Sequence, residues 1–438
     1  MMETQYWEKE LETASRQDLE NLQLSLFKRK MQYVYDNSAM YRQKYDQAGI
    51  KPDDIGSLAD ICRLPFTEKE DLKESQERQP PWGDCICIPP EEGVRVFQTS
   101  GTTGKPVKII LNNNDWEKHF YRQFMHHMKG YGITPHDRLY VPFNYGLHIA
   151  WWGLQGAFER AGVMVIPGGG ISSENRIRAL LEYKATVICG TPTYMLYLGE
   201  TARKMGVSLE DSPIRILIVA GEPGANVPAT KKTLEKIWGA VCYDDIGSSE
   251  ISNFGYECTR QKGTHIIESM FYVESIDPET LQPVADGEVG ELVITNLITE
   301  SMPLIRFRIK DLVRFDRSTC DCGRTFLRLD GGILGRSDDM FQFAGINIFP
   351  SALENFIREM VEFSDEYQIH VPKQGSGNPL LIKVEPKRKE MAPEELQVAR
   401  QRLIDKVKLN MTITPKVEIV KRGELPRFEA KAKRVYRS

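Results

Sequence analysis

The stretch Thr99-Ser100-Gly101-Thr102-Thr103-Gly104-Lys105-Pro106 sets small, hydroxylated and glycine residues in front of a lysine. Gly101 and Gly104 permit the close backbone approach and unusual dihedrals of an anion nest, so the loop can bring N–H groups, hydroxyls and one cation against a polyphosphate. A Walker loop needs four residues between its glycines and a Ser or Thr after the lysine. Here two residues separate Gly101 from Gly104, and Pro106 follows Lys105, so that reading fails. A polar surface loop between strands is the competing reading, and other stretches must decide. Ala220-Gly221-Glu222-Pro223 ends an apolar run with a turn. Tyr243-Asp244-Asp245-Ile246-Gly247-Ser248-Ser249-Glu250 follows the next strand and supplies an acid able to hold Mg²⁺, a cation that needs few protein carboxylates when phosphates complete its shell. Arg306-Phe307-Arg308-Ile309-Lys310-Asp311 offers an acid for a ribose diol. Cys258, His265, Cys320 and Cys322 offer three thiolates and one imidazole, a donor set typical of structural Zn²⁺. Cys320-Asp321-Cys322 is a short pair far from Cys258 and His265, so free thiols beside a surface histidine remain an alternative.

Elements must bring these residues together. The first 75 or so residues read as helical, and Thr67 followed by Glu70 gives a capping-box signature. From residue 94 short β-rich runs alternate with helical stretches. The strand candidates are 94–97, 107–111, 138–142, 163–167, 186–189, 214–220 and 240–244; the helices are 116–131, 149–161, 173–183, 192–205 and 228–238. This alternation implies right-handed βαβ crossovers and a largely parallel sheet, whose ligands collect beyond the C-terminal strand ends. Past residue 265 strands without long helices predict an antiparallel region. After Gly335-Arg336-Ser337-Asp338-Asp339 comes a separate α+β domain, with helices over 350–361 and 393–409 and strands near 367–371 and 380–384. The expected boundary is 1–335 for a large domain and 336–438 for a small one.

The chain has 438 residues, 41% hydrophobic and 27% charged, which suits a globular protein of two or three domains. A formal net charge of −4 argues against nucleic acid as a partner. The N-terminus has no cationic region leading into an apolar run, and no segment approaches a membrane span, so a cytoplasmic protein without a membrane partner is expected. Eight cysteines in this length suggest a reducing compartment.

In their order along the chain, these motifs resemble those of the adenylate-forming ligases, and within them the phenylacetate–CoA ligase family. The closer likeness rests on Asn144-Tyr145-Gly146-Leu147, Gly190-Thr191-Pro192-Thr193-Tyr194-Met195-Leu196, Ser301-Met302-Pro303-Leu304-Ile305-Arg306-Phe307-Arg308 and Gly335-Arg336-Ser337-Asp338-Asp339-Met340. It extends over nearly the whole chain. The resemblance implies an α/β adenylate-forming fold with a mobile C-terminal lid, and a two-step reaction. A carboxylate attacks the α-phosphorus of ATP, then the thiol of CoA displaces AMP. By position, Ser100, Gly101, Thr102, Thr103, Gly104 and Lys105 hold the β- and γ-phosphates, and Gly221, Glu222 and Pro223 line the adenine pocket. Asp245, Ile246, Gly247 and Ser248 also belong to the nucleotide site, Glu250 binds Mg²⁺, Asp311 the ribose and Arg336 the nucleotide. Asp338 is the hinge and Lys431 the catalytic lysine, with Ala430 where the family usually has glycine and Ala344 where it often has arginine. Tyr145, Gly146, His148 and Trp151 border an acyl pocket suited to a planar aryl acid. The Cys/His set is common in that family. ATP, Mg²⁺, CoA and a carboxylic acid are therefore the expected ligands, with a stand-alone adenylating enzyme or a silent ligand- or zinc-binding homologue as alternatives. A homodimer is allowed, and the sequence leaves the oligomeric state open.

Overall fold

A computed structural model describes residues 5–99, 105–343, 346–373, 378–388, 390–428 and 432–437. The chain divides into two compact units: Met1–Ile171, Ala185–Ile188 and Tyr243–Gly332 form one; Ser172–Lys184, Cys189–Cys242 and Ile333–Ser438 form the other.

The first unit opens with the helices Arg16–Asn37 and Ala39–Ala48. Ser15 and Ser38 cap them, each accepting a hydrogen bond from a first-turn N–H group. The helix Lys69–Arg78 starts one residue later than the Thr67/Glu70 spacing predicts. Its N-cap is Glu68, whose N–H donates to Asp71 at 2.7 Å. Thr67 is instead buried and donates to the carbonyl of Ile305 at 2.7 Å, because its backbone bridges in parallel to Phe307. A tertiary strand contact has displaced a local cap.

The parallel arrangement is present at Arg138–Val141, which pairs in parallel with Met164–Pro167 and with Val187 and Ile188. The helix Ile149–Arg160 crosses between the first two. Beyond residue 241 the sheet turns antiparallel. The strand Val241–Ser248 pairs with Ser252–Glu257, which pairs with Thr264–Ile266. Phe271–Ile276, Val289–Asn296 and Phe307–Asp316 then form a meander. The acid-bearing stretch from Tyr243 to Ser248 thus lies within a strand and not after one, as the sequence had suggested.

In the second unit Ser173–Glu182, Pro192–Lys204 and Pro228–Trp238 are helices, and Ile216–Val219 is a fully buried strand. Residues from Phe341 onward build their own core on a four-stranded sheet in the order Lys416–Ile419, Leu381–Pro386, Phe363–Val371, Val435–Arg437. Helices Pro350–Arg358 and Pro393–Met411 cover it with Leu353 and Ile357, and with Ala399, Leu403 and Val407, a four-residue spacing that forms one apolar stripe per helix. No helix among the described residues is long and apolar enough to cross a membrane.

Candidate active site

Ser100, Gly101, Thr102, Thr103, Gly104 and Lys431 lie outside the described residues, as do Ala344 and Gly345. Lys105, at the edge of the loop, is 79% exposed and pairs with Glu77 at 2.7 Å.

In the first unit the nucleotide candidates differ in accessibility. Asp245 is buried, accepts from Asn253 Nδ2 at 2.6 Å and faces His127 Nδ1 at 3.4 Å. Its carboxylate is committed to the fold, so this segment can serve a ligand chiefly through Ile246, Gly247 and Ser248. Glu250 lies just past that strand, and its side chain, 7% exposed, meets Lys69 Nζ at 2.8 Å. A sheltered carboxylate can hold a hard cation, but Lys69 occupies this one, so Mg²⁺ would have to displace that ammonium to reach Glu250.

Asp311 is positioned by an irregularity in its strand. Arg308 pairs with Val293 and Leu312 with Glu291, so Ile309, Lys310 and Asp311 oppose Leu292 alone. Lys310 takes the left-handed conformation, φ 69°, that such a bulge requires. The arginines of the same motif are structural. Arg306 is buried, holds both carboxylate oxygens of Glu274 at 2.8 and 3.0 Å, and lies over the Phe66 ring at 4.0 Å. Arg308 bridges Glu291 and Glu68. Asp115 fixes the start of the motif by accepting from Glu300 N, Ser301 N and Ser301 Oγ at 2.9, 2.7 and 2.5 Å.

The acyl-pocket candidates form an aromatic group. Phe143 and Trp151 stack at 4.7 Å with 6° between planes, and Tyr145 meets Trp152 edge-on at 4.9 Å. Gly146 turns the chain at φ 49°, and a Cβ there would meet nothing within 4 Å, so the turn itself is open. His148 is exposed, which removes the reading of it as a buried, satisfied histidine.

In the second unit the Gly221-Glu222-Pro223 turn is held tightly. A Cβ on Gly224 would come within 1.9 Å of Pro192 Cγ, so only glycine lets the turn reach the helix Pro192–Lys204. Glu222 divides its two oxygens: Oε1 accepts from Thr193 N at 2.7 Å and Oε2 from Ala432 N at 3.0 Å. Burial pushes its carboxyl above the usual range, and these hydrogen bonds oppose that shift. Arg336 forms a two-pronged pair with Asp338, both contacts 2.8 Å, while Arg437 Nη2 donates to the carbonyls of Asp338 and Asp339 at 2.9 and 2.8 Å.

Cys258, His265, Cys320 and Cys322 converge although 64 residues span them, and their ligand atoms all lie within 4.8 Å of one another. Cys258 Sγ to Cys320 Sγ is 3.8 Å, and Cys322 Sγ to His265 Nε2 is 3.6 Å. Tetrahedral Zn²⁺ with bonds of about 2.3 Å to sulfur and about 2.0 Å to nitrogen demands edges of about 3.8 and 3.5 Å. These two separations fit that ion, and all four donors lie close enough to share one. Hydrogen bonding among the four pulls the Cys322 thiol far below its usual range and pushes Cys258 up, an uneven proton distribution that a divalent ion would replace. The loop is braced by the N-terminus. Tyr6 Oη donates to Cys322 O at 2.5 Å, and buried Arg324 donates to Glu12 Oε2 at 2.6 Å.

Glu12, Asp115, Arg324 and the two backbone donors on Glu222 were not foreseen from the sequence. Only Arg324 carried a signal, through its position two residues after Cys322. The others depend on contacts across hundreds of residues.

Comparison with known proteins places this geometry in context. The family described as AMP-binding enzyme matches residues 37–298, and the AMP-binding enzyme C-terminal domain matches residues 345–438. The chain is 35% identical to a phenylacetate-coenzyme A ligase of Thermus thermophilus, over 97% of both chains. It is 36% identical to the Escherichia coli protein of that name, over 97% of this chain and 96% of the relative. Among solved structures it is similar to 2-hydroxyisobutyryl-CoA ligase in its postadenylation state with 2-HIB-AMP, with a TM-score of 0.95 and 30% identity over 100% of this chain and 93% of that one. The thioesterification state of that enzyme, with 2-HIB-AMP and CoA, gives a TM-score of 0.76 at 31% identity over the same shares.

Proposed function

The chain belongs to the phenylacetate–coenzyme A ligase family of AMP-binding enzymes, and on that premise we propose that its acid substrate is an aryl or arylacetic acid. The reaction class is AMP-forming acid–thiol ligation through an acyl adenylate. Its first step brings a carboxylate against a polyphosphate, and stabilising that meeting of anions is the work of the site. Ser100 to Lys105 cradle the β- and γ-phosphates of the leaving pyrophosphate. Glu250 would hold Mg²⁺ once released from Lys69, and the ion would supply charge neutralisation at the phosphates. By their place in the family's motifs, Asp311 is assigned to the ribose hydroxyls, Gly221 to Pro223 and Ile246 to Ser248 to the adenine, and Arg336 to the nucleotide. Lys431 bridges the incoming carboxylate and the α-phosphate. The small domain from residue 336 turns at Asp338 to withdraw Lys431 and admit CoA for the second step.

The observation that carries the aryl assignment is the stacked Phe143/Trp151 pair, whose segment also contains the open turn at Gly146. A planar ring continues such a stack, whereas a short aliphatic acid leaves it unfilled. A short 2-hydroxy acid is the second reading, favoured by the similarity to 2-hydroxyisobutyryl-CoA ligase. An acid-dependent ATP–pyrophosphate exchange screen over phenylacetates, benzoates, 2-hydroxyisobutyrate and short aliphatic acids separates them. Exchange strongest with arylacetates supports the proposal; exchange confined to 2-hydroxyisobutyrate overturns it. Adding CoA to the best acid should yield acyl-CoA with AMP, whereas AMP and pyrophosphate without thioester would assign the second step to another acceptor. The Cys/His set is a closed structural Zn²⁺ site: four protein donors leave no position for a catalytic water.

A further inference from the structure

Helix Pro192–Lys204 touches the C-terminal segment at both of its ends. At its first turn, Thr193 N–H and Ala432 N–H share the carboxylate of Glu222, one oxygen each. At its last turn, Glu200 accepts from Arg422 Nη2 at 3.0 Å. Between these contacts Leu425 N and Arg427 both bind Glu385, at 2.7 Å each, so described residues on both sides of position 431 are held. Ala432 is the residue directly after Lys431.

We propose that Glu222 is a positioning residue for adenylation: its carboxylate docks the backbone next to Lys431 and thereby favours the arrangement in which that lysine works. The proposal rests on the role given to Lys431 above. The chemistry is specific to a carboxylate. A side-chain carboxylate offers two acceptor oxygens, and Glu222 spends one on the helix terminus and one on Ala432. A glutamine has one acceptor and one NH₂ group. If its oxygen stays on Thr193 N, the NH₂ faces the Ala432 N–H, donor against donor. The bond to Ala432 must also open when Lys431 withdraws for thioester formation, so its contribution falls on the first half-reaction.

The test uses full-length Glu222→Gln and, because a backbone donor can be removed only at the backbone, Ala432→Pro. Single-turnover formation of acyl adenylate is measured with saturating ATP and acid, beside thioester formation from preformed acyl adenylate and CoA. The expected result for each variant is adenylation slowed roughly ten- to a hundredfold, the range for losing a hydrogen bond to a charged group. Thioester formation should stay within about threefold of wild type, and the double variant should be no slower than the worse single one. Equal slowing of both half-reactions, or a raised KM for ATP at unchanged rate, would mean that Glu222 only shapes the adenine turn. Additive losses in the double variant would also overturn the docking. A wild-type enzyme with no acid-dependent adenylation would defeat the ligase reading itself, whereas active wild type with an equally active Glu222→Gln defeats this inference alone.

Discussion

Lys431 is the residue on which the proposed first step depends most, and the chemistry asked of it gives a clear asymmetry. A lysine that stabilises charge developing between a carboxylate and the α-phosphate contributes in the adenylation transition state and not in the attack of a thiol on a finished adenylate. Lys431→Ala should therefore slow single-turnover adenylation by roughly 10²- to 10³-fold, with thioester formation from preformed adenylate changed by less than about threefold. Equal losses in both steps would remove the lysine from the reacting centre. The neighbouring Lys433 is the control: its Nζ lies over the Tyr436 ring at 5.3 Å, which ties it to the last strand, and Lys433→Ala should leave both half-reactions near wild type. At this scale the sequence nominates Lys431, Glu250 and Asp311 as candidates, because residue type and motif context suffice to propose a cation or a carboxylate. It could not foresee that Asp245 is occupied by Asn253 and His127, or that Glu222 is split between two backbone donors. Those facts come from partners distant along the chain, which no local pattern encodes.

Elements were legible where periodicity was strong. The helices Ile149–Arg160, Pro192–Lys204 and Pro228–Trp238 lie within a residue of their expected bounds at nearly every end, because helical spacing agrees there with a Pro at the first turn or a glycine after the last. Errors arose where tertiary pairing overrode local signals. The Thr67 cap yielded to a bridge with Phe307, and the strand expected to stop at Asp244 runs on to Ser248 because Ser252–Glu257 pairs alongside it. The Cys/His set shows how an element can depend on a ligand. Cys258 directly follows the strand Ser252–Glu257 and His265 is the middle residue of Thr264–Ile266, while Cys320 and Cys322 sit on a loop held by Gly323 N to Cys320 O at 2.8 Å. Four buried donors, with separations of 3.8 Å and 3.6 Å that match tetrahedral edges, should bind one equivalent of zinc, readable by native mass spectrometry. Cys322→Ser or prolonged chelation should release it and lower the melting temperature, by at most roughly 2–4 °C per kcal/mol lost, the scale for domains of about 150–250 residues. Adenylation by the protein that remains folded should persist. A zinc-free preparation with unchanged melting temperature would deny the site its structural role.

At the scale of the whole molecule, stability couples to pH through the N-terminal segment that braces this same loop. Glu12 is fully buried and accepts from Trp7 N, Glu8 N and Arg324 Nε at 2.7, 2.8 and 2.6 Å. His126 Nδ1 lies 3.3 Å from it, and Glu8 is held by Arg122 and by His126 Nε2. Burial alone would raise both carboxyls, but the hydrogen bonds and cations around them win, and Glu8 and Glu12 are each drawn down from about 4.5 to about 2. A depressed folded-state value means that the native chain releases these protons more readily than the unfolded chain. The resulting stability is fully present above pH 4.5 and is lost as the pH falls toward 2. Glu12→Gln removes the charge that balances buried Arg324 and should cost about 3–5 kcal/mol at pH 7, the range for breaking a buried ion pair from one side. The decisive measurement is the gap itself. Denaturant titrations of wild type and Glu12→Gln at successive pH values should show the difference constant from pH 7 to about 5 and narrowing below pH 4.5, as the wild-type carboxyl takes up the proton the variant never needed. A gap that stays constant through that window would show that Glu12 acts by packing and not by charge.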